Sequence, residues 1–300
     1  MKQQIRAISL VEFKTYSEIE KYIKAFPQAK FELSYCMSSA FLKEVTPLIK
    51  DRVVSLHALC PSEEYFPNLA SHDNQVVENS IELLKRSCVT AKKYGATLIV
   101  LHPGYLTDKA MPSDGVLRVA LLNSKELLPF IGFEKGSICK KDYTSRELYI
   151  NYFETMVNNL LILNKIVSSY GLKLAIENLN PRAGYLFIEP EELIKLANTT
   201  PLTFCLDVGH LWISSKVFGF DFLSSIEKLL NTGRIISMHL HSNPSTENYF
   251  IDSHSNLCES NFPYKEVIAL AKRYKDINLV LETVQDFLKS SENLENLLLL

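Results

Sequence analysis

Leu202–His210 reads LTFCLDVGH, and this stretch decides the fold. Five apolar or β-branched residues run straight into Asp207, and His210 follows three positions later. That is the pattern of a buried strand that delivers a carboxylate and then an imidazole at its C-terminal end. The same pattern recurs around it. Leu172–Leu179 (LKLAIENL) ends on Glu177, Ile235–Asn243 (IISMHLHSN) on His239 and His241, and Asn278–Val284 (NLVLETV) on Glu282. Charged groups at the ends of apolar strands are unfavourable unless something pairs with them, and a bound metal ion is one such partner.

Towards the N-terminus the periodicity predicts four more strands: Arg6–Val11, Lys30–Cys36, Val53–Cys60 and Ala96–Pro103. Helices are expected at Tyr16–Ala25, Ala40–Ile49, Tyr149–Ser169, Glu191–Asn198, Phe222–Asn231 and Pro263–Tyr274, with Leu288–Leu299 closing the chain. Another should be capped by Ser71 or Asp73, carry Val77, Ile81, Leu84, Cys88 and Ala91 on one face, and stop at Gly95. Nearly continuous apolar strands imply burial on both faces, the mark of a parallel sheet. Eight such units suggest an α/β fold, a closed (β/α)8 TIM barrel, with a doubly wound open sheet as the alternative. We read residues 1–300 as a single barrel domain with a long insertion after the fourth strand, about 105–148. The insertion holds one short helix, Val116–Leu128, and should lie over the C-terminal mouth as a lid or substrate wall.

Composition narrows the function classes. A formal net charge of −2 offers no global basic field for nucleic acid. No glycine-rich loop follows a strand, which argues against a dinucleotide or nucleoside-triphosphate site. The six cysteines are scattered without a C-x-x-C pair, as expected of reduced thiols in a cytoplasmic protein. MKQQIRAISL at the N-terminus is too polar for a signal peptide, and no apolar run reaches the roughly 18 residues of a membrane span.

Parallel strands of a barrel converge at one mouth. His57, His102, Glu177, Asp207, His210, His239, His241 and Glu282 stand at or near strand ends, and Asp252 and His254 form an Asp-x-His pair in the loop after the seventh strand. Only His72 falls elsewhere, near a helix start. So many imidazoles and carboxylates exceed the needs of one ion, and a cluster of two or three metals is the natural reading.

At this point the chain resembles the endonuclease IV family within the xylose-isomerase-like barrel superfamily. The matching stretches are LHALC and NLAS, ENSIELLKRSCVTAKKYGATLIVLHPG, LAIENLN, CLDVGH, MHLHSN, IDSH and LVLET. The resemblance implies three zinc ions. His57, His102 and Glu177 would hold the first, Glu177 would bridge to a second completed by Asp207, His239 and Glu282, and His210, Asp252 and His254 would hold the third. Such ions activate water and clamp a phosphodiester, so the resemblance implies a hydrolase of phosphate esters, acting on abasic DNA or a related phosphodiester. Several positions depart from the family. The loop after the second strand, CMSSAF, carries no arginine or lysine, and ALCPSEEYFPN after His57 places Glu63 and Glu64 beside Tyr65 and Phe66. Tyr65 and Phe66 read either as a wedge or as packing under the loop. His241 replaces an expected asparagine, and Asn178, Arg182, His241 and Tyr65 are the candidate substrate contacts.

The alternative is a sugar or sugar-phosphate isomerase or epimerase with one manganese or magnesium ion, sometimes cobalt. Glu177, Asp207, His239 and Glu282 would hold the ion, Glu177 and Glu282 would act as the catalytic proton carriers, and His210 would contact substrate. His57, His102, Asp252 and His254 then share no task. A barrel that kept its metals and lost its substrate is a third, non-enzymatic reading.

Overall fold

Strands of four to six residues alternate with helices along the chain, and the strands close on themselves. The computed structural model describes residues 4–299; residues 1–3 of the N-terminal stretch and Leu300 after the closing helix lie outside them. In chain order the elements are β1 (Arg6–Ser9), α1 (Tyr16–Ala25), β2 (Lys30–Leu33), α2 (Ser39–Ile49), β3 (Val53–His57), β4 (Tyr65–Phe66), α3 (Asn74–Tyr94), β5 (Leu98–Leu101), β6 (Met111–Pro112) and α4 (Gly115–Leu122). They continue with β7 (Ile131–Phe133), β8 (Ile138–Cys139), α5 (Glu147–Ser169), β9 (Lys173–Glu177), α6 (Pro190–Thr199), β10 (Thr203–Asp207), α7 (Val208–Phe218), α8 (Phe222–Asn231), β11 (Ile235–Leu240), α9 (Tyr264–Ala271), β12 (Asn278–Leu281) and α10 (Phe287–Leu299). The closed barrel runs β1-β2-β3-β5-β9-β10-β11-β12 and back to β1, all parallel. This is the (β/α)8 architecture expected from the sequence. No helix among the described residues is long and apolar enough to cross a membrane.

The expected helix after the third strand forms as α3. Asp73 caps it by accepting from Gln75 N, its inner face buries Val77, Leu84, Cys88 and Ala91, and Gly95 ends it at φ +79°. A side chain at that left-handed position would be strained, which is why glycine serves as the stop.

Three expectations are corrected. The strands are shorter than their apolar runs: β1 stops at Ser9, β2 at Leu33, β3 at His57, and β5 spans only Leu98–Leu101. Leu10, Val11, Ala58, Leu59 and Cys60 are buried all the same. An apolar run records burial, and beneath the mouth loops burial continues after strand pairing has ended. The short helix expected at Val116–Leu128 ends at Leu122, and Pro129 sits in a separate 3-10 turn, Leu128–Phe130. Helix α7 was not anticipated at all. It is buried on nearly every side, from Val208 through Val217, so it lacks the polar stripe that marks a helix in sequence.

Residues 102–146 wall the mouth. Tyr65 and Phe66 pair antiparallel with Met111 and Pro112, and the β7–β8 hairpin lies along the loop after β9, where Cys139 N donates to the Pro181 carbonyl. That loop is pinned from below. The Tyr149 hydroxyl accepts from Phe187 N and donates to Glu192 Oε1 at 2.6 Å, while Ile188 N and Glu189 N donate to Glu192 Oε2 at 2.8 Å. Glu192→Ala strands three donors together, so we expect a loss of about 2–4 kcal/mol in urea unfolding, with Glu192→Gln recovering much of it. An unchanged midpoint for the alanine variant would show that water replaces the carboxylate.

Candidate metal centre

Parallel closure brings the strand ends to one face, and residues far apart in sequence become neighbours there. His57 ends β3, Glu177 ends β9, Asp207 ends β10 and His239 lies near the end of β11. His102, His241 and Glu282 sit one residue beyond β5, β11 and β12. His210 is in the first turn of α7, which Asp207 caps by accepting from His210 N at 2.7 Å. Asp252 and His254 come in on the loop after β11.

The structure gathers nine of these residues into overlapping donor groups. His57, His102 and Glu177 form one; Glu177, Asp207, His239 and Glu282 form another; His210, Asp252 and His254 form a third. A further set joins His57, His239 and Glu282. Within each group the donor atoms lie within 4.8 Å of one another. Glu177 stands at the centre: Oε2 is 2.9 Å from His57 Nε2 and 3.5 Å from His102 Nε2, while Oε1 is 3.4 Å from His239 Nδ1.

The rings are oriented from behind. Nδ1 of His57, His210 and His254 lies against the carbonyls of Ala58, Asn178 and Glu282, at 3.2, 2.9 and 2.9 Å, and Nδ1 of His102 lies 3.4 Å from the Tyr105 hydroxyl. In each case Nε2 is left facing a carboxylate: Glu177 for His57 and His102, Asp252 for His210 and His254. Histidines that ligate metals are held this way, with the outer nitrogen donating to a fixed acceptor. His239 is reversed, with Nδ1 inward and Nε2 against Glu32. His254 also adopts φ +41°, a left-handed backbone that costs a non-glycine residue about 1 kcal/mol and is held here by its loop.

The electrostatics match a cation site. Burial pushes Glu177 up, but His239, His102 and His57 together hold it well below the usual carboxylate range. Burial likewise opposes ionisation of Asp207, Asp252 and Glu282. His210 and His241 nevertheless hold Asp207 down, His210 and His254 hold Asp252 down, and His239 brings Glu282 to about 2. His254, despite burial, is raised to about 10 by Asp252 and Glu282. Four carboxylates gathered this closely, three of them buried, demand positive charge, which protonated imidazoles or divalent ions can supply. Glu177 Oε1, His239 Nδ1 and Asp252 Oδ1 are buried without a hydrogen-bond partner, each aimed into a donor group. Such atoms are costly if left alone, and a mixed imidazole–carboxylate set without thiolate fits zinc or manganese.

The candidate substrate contacts fare differently. Asn178 is 1% exposed and spends its amide on Asp207, donating to its carbonyl at 3.0 Å and accepting from its N–H at 2.9 Å. It locks β9 to β10. His241 is also buried, its Nε2 3.1 Å from Asp207 Oδ1 and its ring stacked 4.0 Å from His254. Neither reaches open solvent. Tyr65 is 40% exposed at the rim, whereas Phe66 is buried 5.9 Å from His102. Arg182 is half-buried, and its guanidinium has no ion pair among the described residues. Sequence reasoning missed Glu32, Tyr35, whose ring lies 5.1 Å from His57, and Asn180, which donates to Asp252 Oδ2 at 2.7 Å. Glu32 carried the available signal, a carboxylate flanked by Phe31 and Leu33.

Comparison with known proteins agrees with this geometry at the level of fold and family. A sequence-family profile described as a xylose isomerase-like TIM barrel matches residues 21–298. An uncharacterised protein of Methanocaldococcus jannaschii is 26% identical over 77% of this chain and 66% of its own length. A probable endonuclease 4 of Mycobacterium ulcerans is 21% identical over 74% of this chain and 71% of its own. Among solved structures, a D-tagatose 3-epimerase-like protein superposes with a TM-score of 0.68 at 22% identity, covering 99% of this chain and 97% of that one. That likeness concerns the fold.

Proposed function

The chain belongs to the xylose isomerase-like TIM-barrel family, and from that premise we propose that it is a metal-dependent hydrolase of phosphate esters. One observation carries this reading: the His210–Asp252–His254 group stands beside two groups that share Glu177. A single-ion enzyme has no use for it. In this reading three zinc ions would be held by the nine donors, a reading supported by their closeness to one another. When bound, the ions supply Lewis acidity toward a phosphoryl oxygen and lower the pKa of water.

The chain's own residues do the rest. Asn178, Ala58 and Glu282 fix the imidazoles through their carbonyls, and Asn180 steadies Asp252. Glu177 and Glu282 remain anionic beside His239 and would balance the charge of the ions they hold. Substrate arrives where the cluster is least buried, at His102, Asp252 and His254, which are 18, 20 and 19% exposed. Phe66 and Tyr35 exclude water from the His57 side. Arg182 is our candidate for the phosphate, since a guanidinium suits it geometrically. Glu63 and Glu64 beside Tyr65 disfavour a duplex backbone at that rim, so a small or single-stranded phosphodiester is tested alongside abasic DNA.

A second reading, a sugar or sugar-phosphate isomerase or epimerase with one manganese or magnesium ion, draws on the Glu177–Asp207–His239–Glu282 group, whose members are all buried. Elemental analysis of protein purified without chelator separates the two. About three zinc ions per chain, falling by one in His254→Ala, together with hydrolysis of a phosphodiester, is the expected result. One manganese or magnesium per chain, unchanged in His254→Ala, would move the assignment to the isomerase.

A further inference from the structure

The barrel interior directly beneath the donor groups is polar, where branched aliphatic side chains ordinarily fill such a barrel. Ser9, Glu32 and Ser55 stand side by side in register on β1, β2 and β3, and all three are buried. Glu32 is 0% exposed and has no lysine or arginine partner among the described residues. Its Oε2 accepts from the Ser55 hydroxyl at 2.7 Å. Its Oε1 points across the barrel to His239 Nε2, 3.0 Å away. The contact is at ion-pair distance, and neither of these two buried atoms makes an aligned hydrogen bond with any partner. On the far side of the same ring, Nδ1 lies 3.1 Å from Glu282 Oε2 and 3.4 Å from Glu177 Oε1.

The contrast with the other rings gives Glu32 its meaning. The outer nitrogens of His57, His210 and His254 lie closest to neutral carbonyls and that of His102 lies against a phenol; of these five rings, His239 is the one whose outer nitrogen has a carboxylate, at 3.0 Å, as its nearest partner. A buried carboxylate is expensive to keep unless it serves a pairing. A serine that donates to it fixes its direction. Cys205 lies beside the same ring, and burial pushes its thiol up to about 12, so it stays neutral.

We propose that Glu32 is a positioning residue that holds His239 as the Nε2–H tautomer, reserving Nδ1 for an ion in the Glu177–Asp207–His239–Glu282 group and making that nitrogen a stronger donor. This rests on the metal-dependent reading above. Ser55 acts through Glu32 by fixing its rotamer.

The test uses metal-free wild type, Glu32→Gln and Ser55→Ala, each titrated with zinc against a chromophoric chelator. Thermal unfolding of the metal-free forms and nitrogen-15 shifts of the imidazoles accompany it. Glutamine keeps the volume and an acceptor oxygen but removes the charge. We expect Glu32→Gln to lose about 10–100-fold in affinity for one class of ion at unchanged stoichiometry, with a smaller loss for Ser55→Ala. Thermal unfolding of metal-free Glu32→Gln separates a loss of fold from a loss of ion affinity, since removing one partner of a buried pair can itself destabilise. The His239 ring should report Nε2–H in the wild type. If Glu32→Gln binds zinc as wild type does, or loses stability without metal while keeping its affinity, Glu32 is a structural residue and the inference falls alone. Wild type that binds no zinc would overturn the metal-dependent reading and the inference with it.

Discussion

Glu177→Ala is expected to disrupt two of the four donor groups and to lower phosphodiester turnover by about 10⁴-fold, roughly 5 kcal/mol of transition-state stabilisation. The size follows from position. Oε2 faces His57 and His102 at 2.9 and 3.5 Å, and Oε1 faces His239 at 3.4 Å, so one side chain serves both groups. The carboxylate is 1% exposed, and water cannot readily take its place. Without it the remaining imidazoles face one another with less negative charge between them, and ions in both groups are weakened together. Glu177→Gln retains the shape and one neutral oxygen and should fall between the two. Zinc content and kcat/KM measured on the same preparations check the expectation. Turnover within tenfold of wild type would remove Glu177 from the centre of the site.

Gly209→Ala should be the most damaging small substitution in the chain. A Cβ built there lies 1.9 Å from His241 Cε1 and 2.5 Å from its Nε2. Neither side can yield cheaply. His241 is stacked on His254 at 4.0 Å and bonded to both oxygens of Asp207, and the first turn of α7 is tied to Asp207 through His210 N. Overpacking of this kind costs about 3 kcal/mol, and with about 2.1 cal/mol/K of unfolding entropy per residue that lowers Tm by about 5 °C. The displaced ring also pushes His254 from its group, so zinc content should fall. Removing the obstruction tests the cause: Gly209→Ala with His241→Ala should recover most of the lost stability, a coupling that independent sites would not show. A single substitution costing under about 1 kcal/mol, with no recovery in the double variant, would mean that His241 moves freely.

Much of this site was legible because its signals are local. A carboxylate or imidazole at the end of an apolar run is anomalous in the sequence itself, and Glu177, Asp207, His239 and Glu282 were visible on that ground. Asp252 and His254 lie on a loop without periodicity, and only their resemblance to a known pattern tied them to the strands. Glu32 carried the same anomaly as Glu177 but was absorbed into an alternating strand. Asn178 shows the opposite error: an amide beside a strand-end carboxylate suggested substrate, and the fold spends it on the backbone of Asp207. Helix α7 was lost because burial on all sides erases the polar stripe that a sequence pattern needs.

By itself, then, the amino-acid order determined the alternation of strands and helices, the parallel barrel and the residues delivered to its mouth. Periodicity and the cost of burying charge are properties of short segments. Only the tertiary structure decided which ring nitrogen faces which carboxylate, that Gly209 is small for the sake of His241, and that Glu32 reaches His239 from the opposite wall. Those relations are distances between residues up to about 200 positions apart. They come into being only when eight strands close into a ring, and no local property of the chain encodes them.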